Sequence, residues 1–448
     1  MNKIKNLKAI QMIALMFSMQ LFAADYHGTG GMVDADAGTT SAYTPGTAEN
    51  RYNDTEGLSV EMKEYYTEKL IRKQGPKLIH EQFGVSKPIP ARKGDRAEFR
   101  YRKSLPKALT PLTEGVTPSP DKMTIVPLYA EVNQYGKWLG YTDKLSLTSI
   151  DPMVSEMTIA LSEQSALTCD TVVREVINGG YNVRFAPKNA GTASETKVES
   201  RAEIDDTCLI TVKDVFKMAT ILRAMNAPTK DGMFVAIAHP HVIFDLMMSA
   251  PDNAWRNVMS YAKPENMLKG EVGEIGGVRF VQTSEAKIFK GKIAGKYDKL
   301  TVANVSEYTV TVKETLADED IDYIDYINLN NKRYKVKSVN ASAKTLTLDG
   351  KPTASANDVI YSGDTGANGA PVYSTLFIAG SEAYGVVDLG GKGVEFIAKP
   401  LGASGNDQLN QRGSVGWKTY KGAVILHEEY LLRYESGSTM SSEIQQGN

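Results

Sequence analysis

Residues 151–180 read DPMVSEMTIALSEQSALTCDTVVREVINGG. Asp151 can accept from the free N–H groups of a first helical turn, and Pro152 sits where a missing N–H costs nothing. Gly179 and Gly180 are placed to supply the left-handed residue that commonly ends a helix. Between these signals lies a long run without Pro or Gly, roughly 40 Å at 1.5 Å per residue. Met153, Met157, Leu161, Val172, Val176 and Ile177 recur at helical spacing, interrupted midway by a softer Ser165–Ala166–Thr168–Cys169 turn. One buried stripe is the expectation, rather than burial all round. An ordinary core helix would carry the same pattern, but a length about twice the globular mean marks a spine.

Composition narrows the class without fixing it. The 448 residues are 42% hydrophobic and 23% charged, and two or three domains are expected. Fifty-one basic residues against 53 acidic ones leave a net charge of −2, with no whole-molecule pull on nucleic acid. Cys169 and Cys208 are the only cysteines. A disulfide framework or cysteine zinc site is excluded; a single bridge between the two stays open, with a reduced compartment the simpler reading. No apolar run reaches transmembrane length, so no membrane partner is expected.

Outward from the spine, the chain changes texture repeatedly. Residues 1–24 imitate a signal peptide, with lysines, an apolar run and Ala23-Ala24, but Phe22 or Leu21 would occupy the position where cleavage wants a small residue. Leu7, Ile10, Ile13, Ala14, Phe17 and Leu21 share one helical face, so an amphipathic segment that docks on a partner is preferred. The Gly/Ala/Thr-rich stretch that follows, 25–57, reads as extended or disordered, and the two together make an N-terminal arm, 1–57. Residues 58–87 are helical, opened by Ser59 and broken at Gly75-Pro76. Glu98 to Arg102 alternates strictly, with Phe99 and Tyr101 on one face and Arg100 and Arg102 on the other. A Pro/Gly-rich tip at 106–120 and a second strand-like run from Thr124 through Tyr141 complete a large hairpin, 88–148. It lacks the apolar content for its own core and needs something to lie on, a neighbouring subunit being one candidate.

Residues 149–206 carry the spine, and 207–290 read as a compact α+β domain, with a capping box at Thr211 and Asp214. Residues 291–372 have an all-β texture of short runs at Leu300–Val302, Tyr308–Val312, Ile327–Leu329, Arg333–Val339 and Thr345–Leu348. They are expected to form an inserted barrel or sandwich. Return strands occupy 373–436, and 437–448 is a polar tail.

Catalytic signatures fail on inspection. His427-Glu428-Glu429 begins like a zinc-protease helix, but Leu431 stands where the second ligand belongs. Gly390-Gly391-Lys392 is followed by Gly393, not the Ser or Thr that would hold Mg²⁺, and no nucleophile elbow exists. His239 and His241 are read as a strand-to-helix turn with satisfied imidazoles, not as a metal pair. The basic cluster Arg92, Lys93, Arg96, Arg100, Arg102, Lys103 and Lys107 is read as a solvated face, with phosphate or a neighbour's acids as the alternatives. Asp318, Glu319, Asp320, Asp322 and Asp325 lack the spacing of a calcium loop. No catalytic residue, metal or cofactor is expected, and no enzyme.

The order of parts resembles the Hong Kong 97-like fold of tailed-bacteriophage major capsid proteins. The local sequence is similar to the subfamily typified by the coat of coliphage N-four. Pro111 to Pro118 (PLTEGVTP) looks like that family's hairpin tip, and Ile150-Asp151-Pro152 leading to Asp170-Thr171-Val172-Val173-Arg174 like its spine helix. Ala238-His239-Pro240-His241 and Gly276-Gly277-Val278-Arg279-Phe280 match its apical domain in style, and the resemblance as a whole covers roughly 55–290 and 372–436. The resemblance implies self-assembly into pentamers and hexamers of an icosahedral shell around double-stranded DNA. Assembly in the host cytoplasm is also implied, with portal and scaffolding or decoration proteins as partners and the virion as destination. Subunit contacts are expected at Phe99, Arg100, Tyr101, Arg102, Leu112, Glu114 and Val116 of the hairpin. Asp151, Pro152, Leu161, Val172 and Val176 are expected to carry the spine. A rival reading makes the chain a secreted bacterial surface protein, with 1–24 as its signal and 291–372 as an adhesin-like module.

Overall fold

The structure, a computed structural model, describes residues 52–53, 79–249 and 271–442, except 91, 104, 106, 110, 112, 113, 116, 118, 150, 151, 317–323, 391–392 and 403–408. The amphipathic reading of 1–24, most of the helical reading of 58–87 and most of the acidic loop lie outside the described residues. The described chain falls into two compact units, one of residues up to 181 with 378–431, the other of 182–377 with 432–442. The expected return segment, 373–436, is therefore shared between them.

The first unit is organised on a mixed sheet. Strand β1 (Tyr52–Asn53) runs parallel to β5 (Asn133–Thr142), so two residues of the expected arm are strand. Next come β20 (Arg412–Ile425), β18 (Tyr384–Asp388) and β2 (Val85–Ser86), with β19 (Glu395–Lys399) beside the first half of β20. β20 pairs with β5 antiparallel over ten positions, Arg412↔Thr142 to Lys421↔Asn133. A separate two-stranded ladder joins β3 (Arg96–Arg102) to β4 (Ile125–Glu131). The run from Thr124 to Tyr141 is thus two strands in two sheets, not one. It breaks at Val132 because β20 crosses there: a Cβ on Gly422 would lie 2.2 Å from the Glu131 carbonyl.

The spine helix spans Met153–Ile177 and packs on β20 and β5, its Met153, Met157 and Leu161 joining Tyr141, Leu145, Val415 and Trp417 in one core. Its middle does not interrupt the stripe. Ser165 and Cys169 are buried in line with Leu161 and Val173, small side chains at the four-residue spacing. Both helix ends depart from the expectation. Pro152 takes the cap position and makes no side-chain cap, while Asp151 lies outside the described residues. At the other end Asn178, in the right-handed region, closes the helix with both its backbone N–H and its Nδ2 donating to the Arg174 carbonyl. Neither Gly179 nor Gly180 is left-handed. Gly180 is needed for a different reason: a Cβ there would lie 2.8 Å from the Glu428 carboxylate, which accepts the Tyr181 N–H.

The second unit holds a sheet in the order β6 (Val183–Phe185), β21 (Leu431–Ser436), β17 (Val372–Ile378), β7 (Phe234–Ala238), β9 (Val278–Gln282) and β8 (Glu271–Ile275). β10 (Ile288–Phe289) also pairs with β17. Every residue of β7 and β17 is buried, which explains the unbroken apolar run of β7, while β17 buries Ser374 and Thr375 among its apolar residues. The helix Val212–Ala224 starts on the Thr211/Asp214 capping box and buries Val215, Met218, Ala219 and Leu222. The helix Pro240–Ser249 follows β7 directly.

In the same unit, six strands close a barrel: β11 (Leu300–Ser306), β12 (Thr309–Val312), β15 (Thr345–Leu348), β14 (Lys332–Asn340), β13 (Tyr326–Leu329) and β16 (Val359–Ser362). Its interior is Leu300, Val302, Val310, Val312, Ile327, Leu329, Leu346, Leu348 and Ile360. Arg201 clamps the barrel's exit segment to the sheet. Its guanidinium donates to both carboxylate oxygens of Glu435, at 2.8 and 2.7 Å, and to Asp364 at 3.1 Å, and it lies 3.5 Å from the Phe289 ring centre.

Candidate assembly surface

The β3–β4 hairpin has two unlike faces. Arg96 pairs with Glu131 across the ladder at 2.6 Å, and Arg100 with Glu98 at 2.5 Å. The Arg100 hydrogen bond is the main reason the Glu98 carboxyl titrates below its usual range. Phe99 turns the other way and packs on Ile89, Ala97, Ala130 and Val387. It lies so close to β18 that a Cβ on Gly385 would meet its ring at 2.7 Å. The Lys87 ammonium, donating to the Glu98 carbonyl at 2.7 Å, lies 5.1 Å from the Phe99 ring centre. Tyr101 meets His427 edge-on at 5.0 Å.

The support this hairpin needs is therefore partly its own unit. Phe99 and Tyr101, expected at a subunit contact, are engaged at home. What a neighbour can reach is the opposite face and the tip: Arg100 and Arg102, then Lys103, Leu105, Lys107, Leu109, Met123 and Ile125, all exposed. Glu114 is exposed in a turn with Gly115 at φ +76°, while Leu112 and Val116 lie outside the described residues. All seven members of the basic cluster are exposed, and among the described residues only Arg96 and Arg100 make ion pairs.

The spine residues serve the core instead. Leu161 and Val172 are buried, Val176 is half-buried, and Pro152 is exposed at the helix start. Sequence reasoning missed the polar groups beneath them. Asp170 accepts the His80 backbone N–H at 2.9 Å and holds the His80 Nδ1 at 2.6 Å. Tyr384 donates its hydroxyl to the His80 carbonyl. Nearby, Lys421 reaches Glu81 and, at 2.9 Å, Asp388, its cross-strand partner. Burial pushes Lys421 down to about 8 and Asp388 up. Glu81, Asp170, Asp388, Lys421 and Cys169 border a cavity of about 290 Å³. Burial raises the Cys169 thiol to about 11, so it stays protonated at neutral pH. A Cys169–Cys208 bridge does not form; both thiols are free and buried.

His239 and His241 are likewise structural. Their rings meet edge-on at 4.6 Å, the His241 N–H donates to His239 Nδ1 at 3.2 Å, and the Tyr373 hydroxyl lies 3.0 Å from His241 Nδ1. Burial first, then the charges of His241 and Lys290, hold His239 down to about 3. Among the described residues no three His, Cys, Asp or Glu side chains gather as a metal site. No described helix is long and apolar enough to cross a membrane.

Residues 137–359, from β5 through the spine helix to the last barrel strand, match the family model described as phage capsid protein. The chain is a phage capsid protein. It is a structural subunit of the virion, a major capsid protein that forms the head shell. No curated protein matches the sequence. Solved structures similar to this capsid protein include the cyanophage P-SCSP1u capsid, 11% identical, TM-score 0.48, covering 89% of this chain and 100% of that one. The Ralstonia phage GP4 capsid is 10% identical, TM-score 0.49, covering 89% and 98%. The cyanophage Pam1 capsid is 12% identical, TM-score 0.49, covering 84% and 96%. At those values the family match alone carries the identification.

Proposed function

We propose that this capsid protein is of the Hong Kong 97-like type, akin to the coat of coliphage N-four, and forms the pentamers and hexamers of a tailed phage's icosahedral head. The single observation behind it is the family match, which takes in the spine helix, the later part of β5 and the barrel up to the start of its last strand. The hairpin agrees with it: one face is fixed at home by Phe99 and Tyr101, and the other offers cations and apolar side chains that no described residue covers. Portal and scaffolding or decoration proteins are the further partners, packaged DNA is a neighbour without specific contacts, and assembly takes place in the host cytoplasm. The role is structural and not catalytic.

The test is expression of the full chain and of a chain lacking residues 1–57, with negative-stain microscopy and intact mass. Shells, tubes or capsomer rings from the full chain, lost on truncation, support assembly with a role for the arm. An exported, monodisperse monomer beginning at Asp25 overturns the reading in favour of a secreted surface protein.

A further inference from the structure

Four neighbouring strands of the barrel carry an ordered, uncharged face. β11 and β14 each have a register shift, after Val302 and after Val336, that brings their last outward residues into line with those of β12 and β15. The pairings Asn304↔Thr311, Thr311↔Thr345 and Asn340↔Thr345 make one row. Ser306↔Thr309, Thr309↔Thr347 and Ser338↔Thr347 make a second. The intervening Val305, Val310, Leu346 and Val339 point inward to the barrel core, so all eight of these side chains point out. Strand geometry spaces them about 4.8 Å across the sheet and about 6.7 Å along it, a patch roughly 14 Å wide.

Threonine suits any half-exposed strand, and one Thr pair would need no further explanation. Two features go beyond that. Charge is absent from all eight positions yet resumes beside them, at Glu307, Lys313, Lys337 and Lys344, and further along β14 at Arg333 and Lys335. Tyr308, in the two-residue turn joining Ser306 to Thr309, borders the second row with half its surface (51%) in water. Its backbone carbonyl accepts the Leu348 N–H, which fixes the turn and with it the ring's root. The Asn304 and Asn340 side-chain oxygens each accept a local backbone N–H, so their amide N–H groups are the part of each side chain left to donate.

We infer that this face of the barrel binds neutral polysaccharide. The ligand class follows from the chemistry. Hydroxyl and amide groups at fixed spacing, without charge, match a polymer of sugar hydroxyls, and an exposed aromatic ring at the border offers the apolar surface on which a sugar ring stacks. A polyanion would be drawn to the cationic outward row of Arg333 and Lys335 instead. The inference does not depend on shell assembly, because one folded subunit carries the whole face.

The experiment applies labelled full-length protein to printed neutral glucans, galactans, mannans and chitooligosaccharides, beside heparan sulfate and polysialic acid. Retention on at least one neutral glycan, insensitive to added salt, is expected. Tyr308→Ala and the paired Thr309→Val, Thr347→Val variant should each weaken it by about tenfold or more. Valine keeps the strand preference and the volume, and an unchanged thermal transition of each variant confirms that the barrel stands. Retention by anionic glycans alone, no retention on any neutral glycan, or variants that bind like the parent would each overturn the proposal. Assembly, scored separately by microscopy, is expected to be the same in all variants.

Discussion

Replacing Arg201 by Met should loosen the second unit more than any other single change near the barrel. The guanidinium is 10% exposed and its bidentate partner, the Glu435 carboxylate, is fully buried. Burial alone would lower the Arg201 pKa, but the hydrogen bond and charge of Glu435, with Asp364 behind, more than offset it. Removing one partner of such a pair costs about 3–5 kcal/mol, because the other charge is left in a poor solvent. Loss of the cation over Phe289 adds about 1 kcal/mol. Against this, Arg433 still reaches Glu435 at 2.9 Å, and Asp364 keeps Arg333 at 3.5 Å. A net loss of about 3 kcal/mol is therefore expected, or roughly a hundredfold at 1.4 kcal/mol per tenfold. Hydrogen exchange along Leu431–Ser436 reads this locally, without assuming that the whole chain unfolds in one step. Glu435→Gln and the double variant complete a cycle, in which the double should lose at least ~1.5 kcal/mol less than the sum of the singles. Protection within about tenfold of the parent in Arg201→Met, or plain additivity in the cycle, would refute the clamp.

Three further outcomes follow from the geometry. Gly385→Ala places a methyl against the Phe99 ring, and since the half-buried ring contributes about 1–2 kcal/mol, the hairpin base should become protease-sensitive while the spine stays protected; an unaltered digest would show that Phe99 does not hold the hairpin. Leu161→Ala should cost about 2–5 kcal/mol in urea unfolding followed by Trp417 fluorescence, because Leu161 is buried in the core that Trp417 shares. The parent should lose stability as pH falls from 6.5 toward 3, by at most about 1.4 kcal/mol per pH unit, since the folded state holds His239 near 3 and the unfolded chain binds that proton near 6.5. The contribution is complete above 6.5, and His239→Gln should flatten that window in a pH series of melting curves.

The sequence disclosed its elements better than their partners. The spine was legible because Pro152 and the glycines bracket an apolar period, and the Thr211/Asp214 box announced its helix. Both are local chemistry. The paired alternation of Lys335–Val339 and Thr345–Leu348 showed a hairpin for the same reason. Ser165 and Cys169 misled, since small residues look like an interruption until β20 is seen lying over them. Asn178 took the closing role expected of glycine because its own side chain satisfies the Arg174 carbonyl. Val132 gave no sign of dividing two sheets: the cause, Gly422, lies far along the chain. Nor could Phe99 announce that it rests on Gly385. Register, and hence which face of a strand is wet, was settled by residues distant in sequence, and the uncharged rows of the barrel became visible only once the two bulges set their alignment.

β20 also has a place in time. Its ladder with β5 joins positions near 140 to positions near 415. At about 5–20 residues per second, a ribosome finishing the chain would leave β5 without that partner for roughly fifteen seconds to a minute. Throughout that interval the apolar flank of the spine helix and an open strand edge face the crowded interior of the cell. Such edges pair with whatever strand arrives first. The subunit is therefore most vulnerable before its chain is finished, and its yield should depend on how well the nascent chain is sheltered until residue 425 has emerged.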